Sequence, residues 1–339
     1  MKTYLYLKRT VSVIFILSLF LCGACKKDKN NNPVEGYRIS EETYVENDSL
    51  IYTAKYQYKD NQLSVSRSYD YSQGDSLKTE FHYPDENTIE EELFMYYDSV
   101  WYPTEKLHIE FEDGHIVHVE DIYFYVSYWE PEFELDMQYT GNNLVEEVWS
   151  YYLYGMWNPY RKISYTYNEN KPVTATYYAY DNDWSIYYKE EGVFTGENVV
   201  QVTGYSYAGG SFTNSVRYDI NYNGDFLSSI DIYYPEADWQ LAGHYIFTYD
   251  SFGNLISESV ELDDFSSKNE YYYQEGQGNF ARLHSEAGGL LSYRYYPIPT
   301  KSSPINQESK ENPFFNGWKT VNMHKSPVKG LLDRLLLSD

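Results

Sequence analysis

The stretch YIFTYDSFGNLIS, Tyr245 to Ser257, sets Tyr245, Phe247 and Tyr249 at every second position before a Gly-Asn turn and an aliphatic restart at Leu255. Alternation with period two gives a strand one buried face and one wet face. Gly and Asn enter positive φ at little cost, so Asp250 to Asn254 reads as a tight turn. A strand, a tight turn and a strand make a β-hairpin.

The same text recurs on both sides of it. An aromatic residue stands before a turn at Tyr58, Tyr83, Phe111, Tyr139, Tyr167, Phe194, Tyr222 and Tyr249, at spacings of 25 to 28 residues. An aliphatic residue restarts each pattern, at Leu63, Ile89, Ile116, Leu144, Val173, Val199, Leu227 and Leu255. A second register holds Trp101, Trp129, Trp157, Trp184, Phe212 and Trp239, each 10 residues before its anchor aromatic. Leu227 is followed by Ile230, Ile232 and Tyr234, a change of parity that predicts a bulge beside the turn. Roughly nine units of ~28 residues between Tyr37 and Tyr296 predict an all-β protein, an antiparallel meander of about 16–18 strands. Such a sheet must curl, or close into a barrel, to protect its edges. Tyr139, Tyr167 and Tyr222 are expected on one buried side. The connections at the Trp-bearing end read as longer than the tight turns and stiffened by Pro103, Pro131 and Pro159.

Composition agrees. Among 339 residues, 42 are Tyr and 19% are aromatic, which gives the chain enough apolar surface to offset ordering entropy. The net charge of −25 repels nucleic acid and favours solubility.

The first residues read as an address. Lys2, Lys8 and Arg9 form a charged front, Val11 to Leu21 an apolar run short for a permanent span, and Gly23 and Ala24 precede Cys25. This layout resembles a bacterial lipoprotein signal, which implies lipid on Cys25. It departs from that pattern at Cys22, where Leu is usual. The chain has two cysteines, so cleavage before Cys25 leaves no disulfide. The expected organisation is a signal peptide over 1–24, a polar tether over 25–35, hairpin repeats over 36–296, and a strap over 297–339 ending in a possible short helix, VKGLLDRLLLS. The polar KKDKNNNP after Cys25 is similar to the export tethers of Bacteroidota-type surface lipoproteins.

Two further resemblances rest on the repeat. FTYDSFGNLIS resembles the YD repeat of the Rhs family in its order of Tyr, Asp, Gly-Asn and aliphatic residue, in this copy alone. The whole pattern, a candidate lipid-bearing Cys followed by aromatic hairpins, is similar to uncharacterised Bacteroidota lipoproteins with a porin-like β fold. That resemblance spans about residues 36–296. It implies a large meander, an outer-membrane or surface location, and no catalytic residues.

A lipid-facing pore would need an apolar outer belt, yet the alternate positions hold His108, Glu110, Asp136, Ser164, Glu191 and Asp219. A tethered soluble barrel is therefore the expectation. Ligands are expected at the Trp-bearing rim, through Trp101, Trp129, Trp157, Trp184 and Trp239, because aromatic faces stack on sugars and bind peptides. The competing reading makes these residues packing elements between hairpins. Trp149 stands outside the series as a separate pocket candidate. His108, His115 and His118 surround one turn, but His115 and His118 have opposite strand parity unless a bulge intervenes, so no metal site is assigned. No phosphate loop, GxSxG or HExxH is present. The function expected is a membrane-anchored binding or structural module with no cofactor, taking a glycan or protein ligand and no nucleic acid. The alternative is a glycan-active enzyme whose carboxylates the fold brings together.

Overall fold

The computed structural model describes residues 37–297 other than 73, 114, 126, 197, 225, 263–264, 276–279 and 285–292. The expected signal segment, Cys25, the expected tether and residues 298–339 lie outside the described residues, and with them the expected terminal helix.

Hairpins follow one another along the chain: β1 (Tyr37–Glu46), β2 (Ser49–Lys59), β3 (Gln62–Asp70), β4 (Asp75–His82), β5 (Thr88–Tyr97), β6 (Val100–Glu112), β7 (His115–Tyr125), β8 (Tyr128–Thr140) and β9 (Asn143–Leu153). The second half repeats the first: β10 (Met156–Asn168), β11 (Lys171–Tyr180), β12 (Trp184–Thr195), β13 (Asn198–Ala208), β14 (Ser211–Asn223), β15 (Phe226–Pro235), β16 (Trp239–Tyr249), β17 (Leu255–Leu262) and β18 (Phe265–Glu275). Each strand is antiparallel to the next, and β18 returns to pair with β1 along Tyr37–Glu46. The 18 strands thus close into one up-and-down barrel. Closure satisfies the backbone groups that an open meander would expose at its edges. The barrel ends at Glu275. A further pair, β19 (Phe280–His284) and β20 (Tyr293–Pro297), forms a separate two-stranded sheet.

The expected bulge beside the turn is present and general. Register shifts immediately before the anchor aromatic at Tyr58, Phe111, Tyr139, Tyr167, Phe194, Tyr222 and Tyr249. The anchor tyrosines then reach back one hairpin. Tyr58 donates to the Ile39 carbonyl (2.9 Å), Tyr83 to Leu63 (2.8 Å), Tyr167 to Leu144 (2.8 Å) and Tyr222 to Val199 (3.1 Å). From Leu63 onward, each acceptor is the aliphatic residue that restarts the strand after the preceding turn. Tyr139, Tyr167 and Tyr222 all pack against the same core, as expected, although they are half-buried rather than fully enclosed.

A second bulge lies towards the other end, and here the reading of long, proline-stiffened connections is corrected. The turns at that end include two-residue links at Asn47–Asp48, Asp98–Ser99, Tyr154–Gly155 and Gly209–Gly210, all at positive φ. Pro103, Pro131 and Pro159 lie within β6, β8 and β10, beside the second bulge, where the register shifts. A bulge interrupts the ladder and so accommodates a residue with no N–H to donate.

The two faces of the wall differ sharply. Inward residues such as Leu63, Ile89, Ile109, Leu135, Ile163, Val202, Val216 and Ile232 have no accessible surface, and the inner face from β5 round to β18 forms one contiguous apolar cluster. The lining is that of a packed interior. The outer wall carries ion pairs at mid-height: Lys78–Glu80 (2.7 Å), Lys106–Glu92 (3.5 Å), Lys162–Glu146 (3.3 Å), Lys189–Glu191 (2.6 Å) and Arg217–Asp219 (3.0 Å). Charge at that height is the reverse of the outward apolar band a lipid-embedded barrel presents.

Candidate functional site

Each rim Trp sits outward and half-buried, and its place follows from a third register in the sequence. Five residues before the anchors stand Lys78, Lys106, Glu134, Lys162, Lys189, Arg217 and His244. Lys106 lies 4.5 Å from the Trp129 ring centre, Lys162 5.1 Å from Trp184, Lys189 4.6 Å from Phe212 and Arg217 5.2 Å from Trp239. Lys78 lies 4.1 Å from Phe94 and 5.4 Å from Trp101. Each cation comes from two strands before its Trp or Phe212, so the ladder ties these units to the next. A cross-strand aromatic supports four of these rings from the side: Tyr96 on Trp101, Phe124 on Trp129, Tyr152 on Trp157 and Tyr180 on Trp184, at 4.9–5.1 Å. Trp101, Trp129, Trp184 and Trp239 therefore each have one face engaged by a cation. Trp157 has Glu134 at the ladder position instead.

The inner face at the same end has another character. On β5, β7 and β9 the inward parity continues past the core to Tyr97, to Tyr123 and Tyr125, and to Tyr151 and Leu153. Pairing places Tyr102 opposite Met95, Tyr128 opposite Tyr125, and Met156 opposite Leu153. Tyr97, Tyr102, Tyr128, Tyr151, Leu153 and Met156 are all exposed, and Tyr154 at the turn tip is fully so. One end of the barrel is thus a mouth walled by aromatic side chains.

Below it the inner face carries charge. Asp121 lies opposite Leu107 and Phe133, Phe133 opposite Tyr151, and Trp149 opposite Leu135 and Arg161. Arg161 stands 5.0 Å from the Trp149 ring centre and 5.4 Å from that of Tyr177. Burial works against its charge, but Tyr187, Tyr177, Tyr160 and Glu147 more than offset it and keep the guanidinium protonated. Trp149 also contacts Phe133 (5.3 Å) and Tyr160 (6.5 Å). It is buried and packs among inner-face residues below the mouth.

Burial first, then the Glu132 charge, push Asp121 up to about 8, against a hydrogen bond with Glu105. These two acids are one pair among the carboxylates buried on the inner face, which also include Glu42, Glu147, Glu190 and Glu258. The direct hydrogen bond between Glu105 and Asp121 leaves no room for a sugar, whereas glycoside hydrolysis needs carboxyls roughly 5–9.5 Å apart. Burial favours the protonated form of Asp121.

Three members of this band were hidden from strand parity. Glu132, Tyr160 and Tyr187 are the extra residues of the second bulge in β8, β10 and β12. A bulge re-aims one side chain. Tyr160 turns onto the core and stacks on Tyr151 at 4.0 Å and 15°, and Tyr187 meets Tyr177 edge-on at 6.2 Å.

Val117 is a bulge residue between His115 and His118, so the opposite parity expected of the two does not hold, but their contacts differ. His115 stacks on Tyr139 at 4.7 Å, and burial lowers its pKa. His108 lies 3.1 Å from Glu110 and 3.8 Å from Glu90 on the outer wall. His118 bonds Asp136 at 2.7 Å, which raises its pKa, and groups with Glu134 and Asp136 so that one ligand atom from each lies within 4.8 Å of the others.

No family model matches the chain, and no curated protein does. Among solved structures it is similar to a porin-like protein from Bacteroides uniformis, at 9% identity and a TM-score of 0.37 over 72% of this chain and 100% of that one. It is also similar to TcdB2-TccC3-TEV (8% identity, TM-score 0.32, 76% of this chain and 16% of that one). A third likeness is to transferrin binding protein B from Haemophilus parasuis (8% identity, TM-score 0.17, 68% and 61%). Likenesses this remote assign no function to the barrel.

Proposed function

We propose that this chain is a non-enzymatic binding module, held on the outer membrane by lipid at Cys25, that takes a glycan at the aromatic mouth. The observation that carries the reading is the one-sided distribution of exposed aromatics. Tyr96, Tyr97, Tyr102, Tyr128, Tyr151, Tyr154, Tyr180, Tyr187, Tyr207 and Phe212 are exposed at the Trp-bearing end, while Phe252 and Tyr272 are exposed towards the other. Contiguous exposed apolar area on a soluble protein marks an interaction site. Tyrosine supplies a flat face for a pyranose ring and a hydroxyl for its edge, at low entropic cost.

Tyr154 adds a local argument. It occupies a two-residue turn at φ 54° with its whole side chain in water. Asn or Asp would hold that conformation more cheaply. A bulky ring kept there is better explained by contact with a ligand than by stability.

The test is a glycan screen on the purified chain, followed by Tyr154→Asn and Tyr97→Ser. Both variants should fold as well as the parent and lose binding together. Failure of every glycan to bind, with a protein partner lost in the same two variants, would move the reading to protein recognition. Binding unaffected by either variant would remove the mouth as the site.

A further inference from the structure

We propose that His118, Glu134 and Asp136 form a binding site for a divalent first-row transition-metal ion on the outer wall between β7 and β8. The site is separate from the aromatic mouth and does not depend on what the mouth binds.

The register builds it. His118 and Asp136 are direct partners across β7 and β8, and Glu134 is two residues along β8 from Asp136. Positions two apart on a strand share a face. One donor atom from each of the three therefore converges, all within 4.8 Å of one another, with His118 Nδ1 2.7 Å from Asp136 Oδ1. His118 and Glu134 are half-buried and Asp136 is exposed, which leaves further positions around an ion open to water. One imidazole nitrogen with two carboxylate oxygens suits Zn2+ or its neighbours, while Ca2+ and Mg2+ prefer oxygen alone.

An independent observation comes from the repeat. Position 134 corresponds to Lys78, Lys106, Lys162, Lys189, Arg217 and His244, five residues before their anchor aromatics. At the Lys and Arg places the cation pairs with a nearby acid on the outer wall. In this unit the cation is replaced by Glu134, and two residues on stands a second acid, Asp136. Glu134 lies directly opposite Glu120, and His118 opposite Glu110. Like charges facing each other across a ladder are destabilising. The unit that lacks its built-in cation thus gathers carboxylates around one imidazole, and a bound divalent ion supplies the missing positive charge.

The experiment titrates the full chain, purified without a metal-binding tag, with Zn2+ by calorimetry and with Co2+ by visible absorption. One saturable Zn2+ equivalent and ligand-field bands of bound Co2+ are expected. Glu134→Lys restores the residue type that most other units carry, so the wall should be kept; His118→Asn is the second variant, and near-ultraviolet circular dichroism checks both. Each should weaken Zn2+ by roughly tenfold or more, since even outer partners of a metal site cost that much. His108→Asn should leave affinity unchanged. Absence of saturable binding to the parent chain, or equal affinity in parent, Glu134→Lys and His118→Asn, would overturn the proposal, and so would loss confined to His108→Asn.

Discussion

Lys106 Nζ stands 4.5 Å from the centre of the Trp129 ring, two strands further round the barrel. The same cation also reaches Glu92 on the strand before it, at 3.5 Å. One side chain thus links β5, β6 and β8 on the outer wall. The constant offsets of cation, Trp and anchor aromatic in the sequence are the trace of this contact. They hold because a cation can cover a ring two strands away only if every unit keeps the same length between its bulges.

Replacing Lys106 with Met keeps the aliphatic stem and removes the charge. Urea unfolding should show a loss of about 0.5–1 kcal/mol, the range for a partly exposed cation over an aromatic face. Unchanged stability would mean that the ladder follows from the register and does not support it.

Tyr167→Phe tests the backward hydrogen bond to the Leu144 carbonyl. Phe111 and Phe194 occupy equivalent anchors, so the ring shape is tolerated. Loss of the bond should cost about 1 kcal/mol. Tyr167→Ala should cost more, but less than the ~3–5 kcal/mol of a fully enclosed ring, because Tyr167 is half-buried. Equal stability of the Phe variant and the parent in chemical denaturation would contradict the role given to the hydroxyl.

Asp121 makes stability depend on pH. Its folded-state pKa is about 8, above the unfolded value. The folded chain therefore holds the proton more tightly. The favourable contribution is complete below the unfolded pKa near ~4 and is lost as pH rises towards 8. Glu42, raised in the same sense by burial, then held down by Tyr56 and raised by Glu258, acts in the same direction. The thermal midpoint should fall between pH 5 and 8, and Asp121→Asn should reduce that fall. A midpoint that rises over the range, or a slope indifferent to Asp121→Asn, would reject the assignment.

Cys25→Ser should abolish lipid labelling and release the chain from membranes. Retained labelling with unchanged membrane fractionation would remove the anchor from the functional reading.

Much of the wall was legible in the residues. Tyr245, Phe247 and Tyr249 alternate because one face of β16 is buried, and the parity change after Leu227 marks a bulge because one extra residue reverses every later side chain. Both are local effects with a fixed period, and repetition along the chain makes them stand out. The mouth was less legible. Glu132, Tyr160 and Tyr187 join the inner band only because the second bulge turns them inward, and no turn residue flags that bulge as Gly and Asn flag the first. The prolines were visible but suggested loops, since a missing N–H fits a connection as well as a bulge.

The sequence by itself determined that this protein is a long antiparallel meander of equal hairpins with one apolar and one polar face, because strand periodicity and turn chemistry are properties of a few neighbouring residues. Whether that meander closes depended on β18 meeting β1 from the far end of the repeat, and only the tertiary structure decided it. The same holds for the Glu105–Asp121 pair and for the Arg161–Trp149 and His118–Asp136 contacts. Each joins residues whose meeting is set by register between strands, and register is summed over every bulge and turn that lies between them.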